Sequence, residues 1–413
     1  RKKMSSELII TGAGPAGLFT AIQAAKKNKD KKIIILEKNN QAGKKLLLSG
    51  SGQCNLTHAG DISNFFDHYG DNHNFLLGPL YSFDNKNLMS FFNKREIKFR
   101  KARGGKIFPK SNKAEDILET LLQECKNKNI KIIYNSPVKK VEYNQQKKIF
   151  EINTPTKNFN SKFFVIATGG KSFPKTGSTG DGFKIARNLG HSISRVKAAL
   201  APVIINNHSF KMLSGISMHS KELSLWRNNS LVKRWTGDLL ITHKGLSGPA
   251  IINYSRYMEA GDIIKIKLLD HNRESLKKDI LKKINREGKL NIKNLLIRYP
   301  IAQRLIEKIL ENLNINGSKN AAHLNKKERN KIIDQFLSLE FKIKKIADFN
   351  QSMVTKGGIS LKEINPGTME SEIINNLFAV GEVLDIDGDT GGYNLQAAFS
   401  TAYAAGTEIA ERL

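Results

Sequence analysis

A glycine-rich turn near the amino terminus constrains the fold of this chain more than any other feature. The apolar run Leu8–Thr11 predicts a buried parallel strand, and it leads directly into Gly12–Gly17, which reads GAGPAG. An alanine-rich stretch that is predicted to be helical follows. In such a strand–turn–helix unit, Gly12 permits the tight turn, Gly14 lets the backbone approach a pyrophosphate, and Gly17 lets helix and strand pack closely.

An acidic residue stands at the distance from this turn that a ribose-binding carboxylate requires. A second apolar run, Lys32–Leu36, ends in Glu37, which falls 20 residues after Gly17. The carboxylate can accept hydrogen bonds from both ribose hydroxyls, and its charge would repel a 2′-phosphate. The helix amino terminus offers unpaired N–H groups and about half a positive charge to the diphosphate. The motif therefore predicts that an adenine dinucleotide binds here.

Two further glycine-rich segments favour a flavin dinucleotide. Residues 41–55, QAGKKLLLSGSGQCN, form a basic loop that is long enough to follow the rest of an extended cofactor. Near the carboxy terminus, a predicted strand over 376–380 ends in Gly381-Glu382, a pair suited to the ribityl hydroxyls of a flavin. Gly391-Gly392 then opens a helix, predicted from about Leu395, whose dipole would point at the flavin pyrimidine.

The chain resembles the YhiN/BaiN-like flavoproteins over essentially its whole length. The resemblance rests on these motifs together with GKIFP at 105–109, residues 167–182, and THKGLSGPA at 242–250. It implies an α/β protein: a two-dinucleotide-type, Rossmann-like FAD-binding domain with an inserted β-rich, barrel-like subdomain and a small helical module. One departure is that neutral Gln53 stands where the family loop usually carries an arginine.

The predicted domain plan follows from these motifs and from the pattern between them. We expect a discontinuous FAD-binding domain over 1–190 and 357–413, a β-rich substrate domain over 191–270 and 346–356, and a helical insert over 271–345. Apolar residues at three- and four-residue spacing in the insert predict the helices Ser275–Asn285, Asn291–Arg298, Ala302–Leu313 and Lys326–Leu337. Because the insert holds no second dinucleotide fingerprint, NAD(P)H would visit the flavin only transiently, or the reductant is not a nicotinamide.

The residues predicted to contact FAD come from the glycine-rich motifs, the ribose-binding turn and the strand that returns to the same sheet. They are Gly12, Ala13, Gly14, Pro15, Ala16, Gly17, Glu37, Lys38, Lys44, Lys45, Ser49, Gly50, Gly52, Asn55, Val138, Ala167, Thr168, Gly169, Gly381, Glu382, Gly391, Gly392, Tyr393 and Asn394.

Two side chains are predicted to be catalytic. Cys54 lies in the loop expected to pass the isoalloxazine, so we predict that it donates a proton; a small buried thiol that only packs is the alternative. His243 lies in the 242–250 loop and is predicted to face the flavin from the substrate side; a histidine that hydrogen-bonds its own loop is the alternative. His191 follows Gly190 at a helix carboxy terminus, and we interpret it as a capping residue.

Positive charge is concentrated in two segments. The chain has 67 Lys and Arg against 38 Asp and Glu, a formal net charge of +29. Residues 94–113 carry +8 together with Phe99 and Phe108, and residues 271–345 carry +11. This clustering exceeds what an even, codon-driven lysine bias predicts. Basic patches with aromatic residues are typical of RNA binding, with a merely solvated surface as the alternative. The family resemblance implies that the RNA partner would be ribosomal RNA.

Three functions remain open, and the first two are what the family resemblance implies. The first is an FAD-dependent oxidoreductase that reduces a uracil base of ribosomal RNA to dihydrouridine, with hydride delivered to C6 and Cys54 protonating C5. An RNA base must be unstacked for such chemistry, which fits a deep pocket behind a basic rim. The second is a flavin oxidoreductase of a small enone or amine, and the third is an RNA- or ribosome-binding factor with structural FAD. The family resemblance implies redox chemistry at a carbon–carbon or carbon–nitrogen bond.

Other classes are excluded. Cys54 and Cys125 belong to no CxxC and no Cys/His cluster, which argues against a disulfide scaffold and a zinc site. The acidic run Asp385–Asp389 lacks the spacing of a calcium loop, so no metal site is predicted. No apolar run approaches the ~18 residues that a membrane span needs. The basic start resembles a signal peptide, but cleavage would destroy the glycine motif, so a cytoplasmic protein without a membrane partner is expected.

Overall fold

The computed structural model describes residues 3–27 and 30–413. The strands, in chain order, are β1 Lys3–Thr11, β2 Ile33–Leu36, β3 Thr57–His58, β4 Phe99–Lys101, β5 Lys106–Pro109, β6 Lys131–Ile133, β7 Lys140–Asn144, β8 Ile149–Asn153, β9 Asn158–Ile166, β10 Lys197–Ala199, β11 Val203–Ile205, β12 Ser217–Arg227, β13 Ser230–Ile241, β14 Gly245–Ser247, β15 Ile263–Lys267, β16 Leu339–Ile346, β17 Val354–Lys356 and β18 Leu377–Ala379. The α-helices are α1 Pro15–Ala24, α2 Lys44–Leu48, α3 Leu77–Ser82, α4 Asn85–Asn93, α5 Ala114–Asn127, α6 Asp181–Asn188, α7 Pro249–Ile252, α8 Arg273–Glu287, α9 Ile292–Leu296, α10 Gln303–Asn312, α11 Lys326–Leu337 and α12 Tyr393–Arg412.

The described chain forms two compact units. The first runs to Ala199 and resumes at Phe349–Leu413, and the second is Leu200–Asp348. Each unit has its own cluster of buried apolar side chains.

The first unit is built on a seven-stranded sheet. Its order is β6-β2-β1-β9-β8-β7, and β18 also pairs with β9. Strands β6, β2, β1, β9 and β18 are parallel, whereas β7 and β8 run antiparallel. The parallel strands read as continuous apolar runs because helices cover both faces of such sheets, and Leu8–Ile10 and Ile33–Leu36 are fully buried. The carboxyl ends of these strands carry the glycine motifs, which is where ligands bind in open α/β sheets.

Helices α1 and α12 pack closely in the first unit. Pro15 occupies the first turn of α1 after Gly14, where its missing N–H costs nothing. On α12, a Cβ at Gly406 would lie 2.7 Å from the carbonyl oxygen of Thr20. The small residues of α12 therefore permit a close helix–helix contact.

The second unit contains the predicted barrel. Its strands close in the order β11-β14-β13-β12-β15-β16, and α8 to α11 lie between β15 and β16 in the chain. The predicted helices are present with shifted ends, except that α11 has the predicted bounds. At its amino terminus, Asn325 and Glu328 form a capping box, which explains why that end is sharply defined.

The structure moves the predicted domain boundaries. Residues 191–199 and 349–356, predicted to belong to the substrate domain, lie in the first unit because β10 and β17 pair with each other there. Strand β16 lies largely inside the range 271–345 that was predicted to be helical. Its side chains alternate, with Leu339, Phe341 and Ile343 buried and their neighbours exposed, so that it closes the barrel instead.

The interpretation of His191 as only a cap is incomplete. Its backbone N–H donates to the carbonyl of Ala186, as a cap would, but its side chain is buried. Nδ1 lies 3.1 Å from Glu363 Oε2, and Nε2 lies 3.0 Å from Ser371 Oγ. The imidazole therefore joins three segments of the first unit. These partners are more than 170 residues away in the chain, so no local sequence pattern predicts them.

Acidification should weaken the fold through His191. Burial lowers the pKa of His191 below 6.5, against the opposing effect of Glu363. The unfolded chain then takes up this proton at higher pH than the folded chain, so the contribution to stability is complete above pH 6.5 and is lost as the pH falls. Between about pH 7.5 and about pH 5.5, the urea midpoint of the native protein should fall further than that of His191→Gln. Equal falls would contradict this assignment.

Among the described residues, no helix has the length and apolar character that crossing a bilayer requires.

Candidate functional site

The first glycine motif has the geometry of a pyrophosphate cradle. Gly12 has φ +102°, and a Cβ there would overlap the carbonyl oxygen of Ala167. A Cβ at Gly17 would overlap the backbone of Gly12. In contrast, a Cβ at Gly14 would meet no atom within 4 Å, so the backbone before α1 faces open space. A cofactor can therefore approach the helix amino terminus at Gly14.

The carboxylate of Glu37 is buried and fixed by the backbone. It is 7% exposed, its Oε2 accepts the Ala13 N–H at 2.8 Å, and its Oε1 accepts the Asn39 N–H at 2.8 Å. Each carboxylate oxygen has a second lone pair that can accept a hydroxyl hydrogen bond. Val138 lies two residues after Ser136, whose backbone N–H donates to the carbonyl oxygen of Glu37. The side chain of Val138 is partly buried against the core.

Two of the three predicted cofactor lysines pair with carboxylates. Lys38 Nζ lies 2.6 Å from Asp181 Oδ2, and this contact keeps the pKa of Asp181 below its usual value although burial acts against the charge. Lys45 Nζ lies 2.6 Å from Glu382 Oε2, while Glu382 Oε1 accepts the Thr355 N–H at 2.9 Å. The Lys45–Glu382 pair joins the loop after the ribose acid to the carboxy-terminal motif.

The carboxy-terminal motif lies against the first one. A Cβ at Gly381 would lie 2.9 Å from Cβ of Ala16. Gly392 has φ +100° and packs on the backbone of Thr57, so that α12 begins at Tyr393, two residues before the predicted start. The side-chain amide of Asn394 bonds to its own loop. Its Oδ1 accepts the Gly388 N–H at 2.8 Å, and its Nδ2 donates to the Gly388 carbonyl at 2.8 Å.

The structure therefore brings most of the predicted cofactor residues together in the first unit. The returning strand contributes Ala167, whose N–H donates to Thr11 at 2.9 Å, and leads into Thr168 and Gly169. The cradle at Gly14, the oriented Glu37 carboxylate and the helix amino terminus at Gly392 fit an adenine dinucleotide extended across the sheet edge.

The two predicted catalytic residues are placed differently. Cys54 has no exposed surface, and burial raises the pKa of its thiol to about 12. Such a thiol stays protonated at neutral pH and is a weak acid, which favours the packing interpretation. His243 is exposed in the turn between β13 and β14 of the second unit, and its role near the flavin stays a prediction.

An imidazole cluster at the start of α12 was missed by sequence reasoning. The ring of Tyr393 stacks on His68 with centroids 4.1 Å apart and on His58 at 5.1 Å. His68 Nδ1 lies 2.9 Å from Asp389 Oδ2, and the His68 carbonyl accepts the Asp389 N–H at 2.8 Å. The pKa of Tyr393 is raised, first by burial and then by the charge of Asp389. A histidine oriented by a carboxylate is a common acid–base arrangement.

A guanidinium lies where the loop departs from the family pattern. Arg100 on β4 donates from Nη2 to Gln53 Oε1 at 3.0 Å and from Nε to Asn112 Oδ1 at 2.7 Å. Its guanidinium also lies 4.9 Å from the centroid of the Phe108 ring. Gln53 therefore positions Arg100. The guanidinium of Arg100 places a positive charge beside the loop, although Gln53 itself is neutral.

Comparisons with known proteins show which family the chain belongs to. The family described as "HI0933-like protein Rossmann domain" matches residues 6–408. The chain is 31% identical to the 3-dehydro-bile acid delta(4,6)-reductase of Clostridium scindens, over 98% of each chain. It is 32% identical to the ribosomal RNA dihydrouridine synthase of Haemophilus influenzae, over 98% of this chain and 99% of that one.

A solved structure supports the fold alone. The E. coli quinol fumarate reductase subunit FrdA matches all of this chain and 71% of its own with a TM-score of 0.52, at 15% identity. From the family match and the fit of the dinucleotide site, the chain belongs to the HI0933-like Rossmann family and is an FAD-dependent oxidoreductase.

Proposed function

We propose that this flavoprotein reduces a carbon–carbon double bond conjugated to a carbonyl, and that the bond is C5=C6 of a uracil base in ribosomal RNA. The names of the two relatives describe one kind of chemistry. A 3-dehydro-bile acid Δ4,6 substrate has double bonds conjugated to its 3-oxo group, and uracil has C5=C6 conjugated to the C4 carbonyl. In each reduction, hydride adds to the double-bond carbon farther from the carbonyl and a proton adds to the nearer one.

The observation that carries the choice of RNA is an uncompensated basic face next to the cofactor site. Strand β3, whose Thr57 packs on Gly392, pairs with β5, and β5 pairs with β4. Within the described chain, no carboxylate pairs with the exposed cations of this segment, which are Lys94, Lys98, Lys101, Arg103, Lys106, Lys110 and Lys113. Phosphates are the natural partners of such a surface.

The second basic segment supports the proposal less strongly. Seven cationic side chains of 271–345 pair with carboxylates and are not free to bind phosphates, whereas the exposed cations of 94–113 have no such pairs in the described chain. The seven paired cations are Arg273, Lys277, Lys283, Lys293, Arg298, Lys308 and Lys319. We therefore propose residues 94–113 as the main RNA contact and the helical module as an auxiliary one.

Bound FAD, once reduced, supplies the hydride. The chain must supply the proton, and we propose His68 as its donor in place of Cys54. His68 is part-exposed, with 37% of its side-chain surface accessible, and Asp389 orients its ring. Among the described residues, no protein group bonds His68 Nε2, so this nitrogen can hold a proton for the substrate. The electrons are proposed to come from NAD(P)H, which anaerobic bleaching of the flavin by each nicotinamide would test.

Reduction of a small conjugated enone is the second candidate, because the bile-acid reductase relative is as similar to this chain as the RNA enzyme relative. The test is to delete the gene and map dihydrouridine in ribosomal RNA. We expect one or more dihydrouridines to disappear and to return with the wild-type gene but not with His68→Gln. An unchanged map would reject the RNA substrate.

A further inference from the structure

A pocket of about 580 Å³ opens on the first unit between α4 and the small β3-β5-β4 sheet. Helix α4 contributes Lys86 and Met89, which are three residues apart and so share one face. The segments flanking the sheet contribute Lys94, Lys98 and Lys110, and Phe99 of β4 lies among them. The pocket therefore combines four cationic side chains with an aromatic ring.

No lysine of this pocket forms an ion pair within the described chain. All four lysines are exposed, and no carboxylate lies within ion-pair distance of any of them there. The neighbouring Arg95 pairs with Glu124 at 2.6 Å, so the nearby acid is already used. The pKa of Lys26 is lowered by burial and by the charges of Lys128, Arg95 and Lys94, so Lys94 also experiences repulsion from a neighbouring lysine. An anionic ligand would relieve that repulsion.

The apolar part of the lining suits a flat ring. Phe99 and Met89 are half-buried, and Phe99 is fixed by an edge-on contact with Phe92, with centroids 6.4 Å apart. The pocket volume falls within the range of about 300–1,000 Å³ that is typical of small-ligand sites. A nucleotide offers both required features, a base that stacks on an aromatic ring and phosphates that bind lysines.

We propose that this pocket holds one unpaired nucleotide of the RNA substrate, with Phe99 stacking on its base and the lysines contacting the flanking phosphates. The identity of the RNA rests on the proposed function. The pocket lies at β4, and β3, which contacts Gly392, is at the other edge of this small sheet. The RNA strand would then cross the sheet from the pocket to the flavin site. Phosphate contacts position a nucleic acid without reading its sequence, so the pocket would set which neighbouring base reaches the flavin.

The test compares two triple variants that lose the same charge. Lys94→Gln/Lys98→Gln/Lys110→Gln removes three of the pocket's four cations. The control, Lys139→Gln/Lys147→Gln/Lys157→Gln, removes three exposed lysines that lie outside both basic segments. The oxidised holoprotein is titrated with a short labelled single-stranded RNA at several salt concentrations. Affinity falls as salt rises, and each lost phosphate contact reduces the steepness of log affinity against log salt by about 0.7. The slope of the pocket variant should therefore be less steep than that of the wild type by about 2. The control should keep the wild-type slope.

A separate variant tests the stacking. Phe99→Leu should weaken RNA binding about 5-fold or more and leave the salt slope unchanged, because the ring is neutral. A slope that falls equally in both triple variants, or in neither, would overturn the proposal. The pocket would also be reassigned if anionic phospholipid vesicles or NADPH bound the wild type, competed with the RNA, and lost affinity in the pocket variant.

The outcome is separable from that of the proposed function because binding needs no turnover. RNA binding that depends on the pocket, in a protein that forms no dihydrouridine, would support the pocket and reject RNA reduction. Dihydrouridine formed equally well by the wild type and the pocket variant, at limiting RNA, would reject the pocket and support RNA reduction.

Discussion

Gly14→Val should fold normally and be purified without FAD. A Cβ at Gly14 meets no protein atom within 4 Å, and the residue has φ −83° and ψ 179°, which any L-residue can adopt. The valine methyls would instead fill the space where the pyrophosphate approaches the backbone. Losing one charge-assisted hydrogen bond costs about 1.5–3 kcal/mol, or about 10- to 100-fold in affinity, and steric overlap adds to this.

The measurement is the flavin content of the purified protein, followed by FAD titration of the apoprotein. Gly367→Val is a matched control, because Gly367 lies in an exposed turn outside the cofactor motifs. Gly14→Ala should fall between the wild type and Gly14→Val. Unfolding curves of the two valine variants should be alike in the apo state. Normal FAD content in Gly14→Val would show that the pyrophosphate does not lie against this turn.

His68→Gln should slow substrate reduction by about 10²- to 10⁴-fold, the usual contribution of a general acid, with FAD content unchanged. Glutamine can keep a hydrogen bond to Asp389 but cannot transfer a proton from a protonated ring. Cys54→Ala should keep nearly wild-type turnover, since the thiol is fully buried and has a pKa raised to about 12.

Both variants are compared by the rate at which the reduced holoprotein is reoxidised by RNA at saturating concentration. The cavity left by Cys54→Ala should cost about 1 kcal/mol of stability, which thermal unfolding would detect apart from catalysis. A large loss of turnover in a folded, FAD-loaded Cys54→Ala, together with full activity of His68→Gln, would restore the thiol as the donor.

The local part of the site was predictable from sequence. Gly12, Gly14 and Gly17 act through turn geometry within six residues, and Glu37 is fixed by its spacing from them, so the cofactor could be inferred from one short stretch. The imidazole cluster could not, because His68 and Asp389 are separated by 321 residues and meet only in the folded first unit. Burial of Cys54 likewise depends on the packed core and not on its glycine-rich neighbours.

Sequence patterns did not locate the boundaries between the two units, because those boundaries depend on strands that pair across long stretches of chain. β10 and β17 belong to the first unit because they pair across more than 150 residues of intervening chain. Strand β16 follows directly on a helix-rich segment, and only the alternation of its buried side chains distinguishes it. The same holds for charge. Composition locates both basic segments, but only the structure distinguishes the cations that pair with carboxylates from the exposed lysines near β4 and β5.

The most direct test of the central claim is to mix reduced holoprotein, without oxygen, with ribosomal RNA from cells that lack the gene. Flavin absorbance and the dihydrouridine content of the RNA are followed together. We predict that the flavin is reoxidised and that dihydrouridine forms in equal amount. A flavin that stays reduced with this RNA, but is reoxidised by a small conjugated enone, would contradict the account.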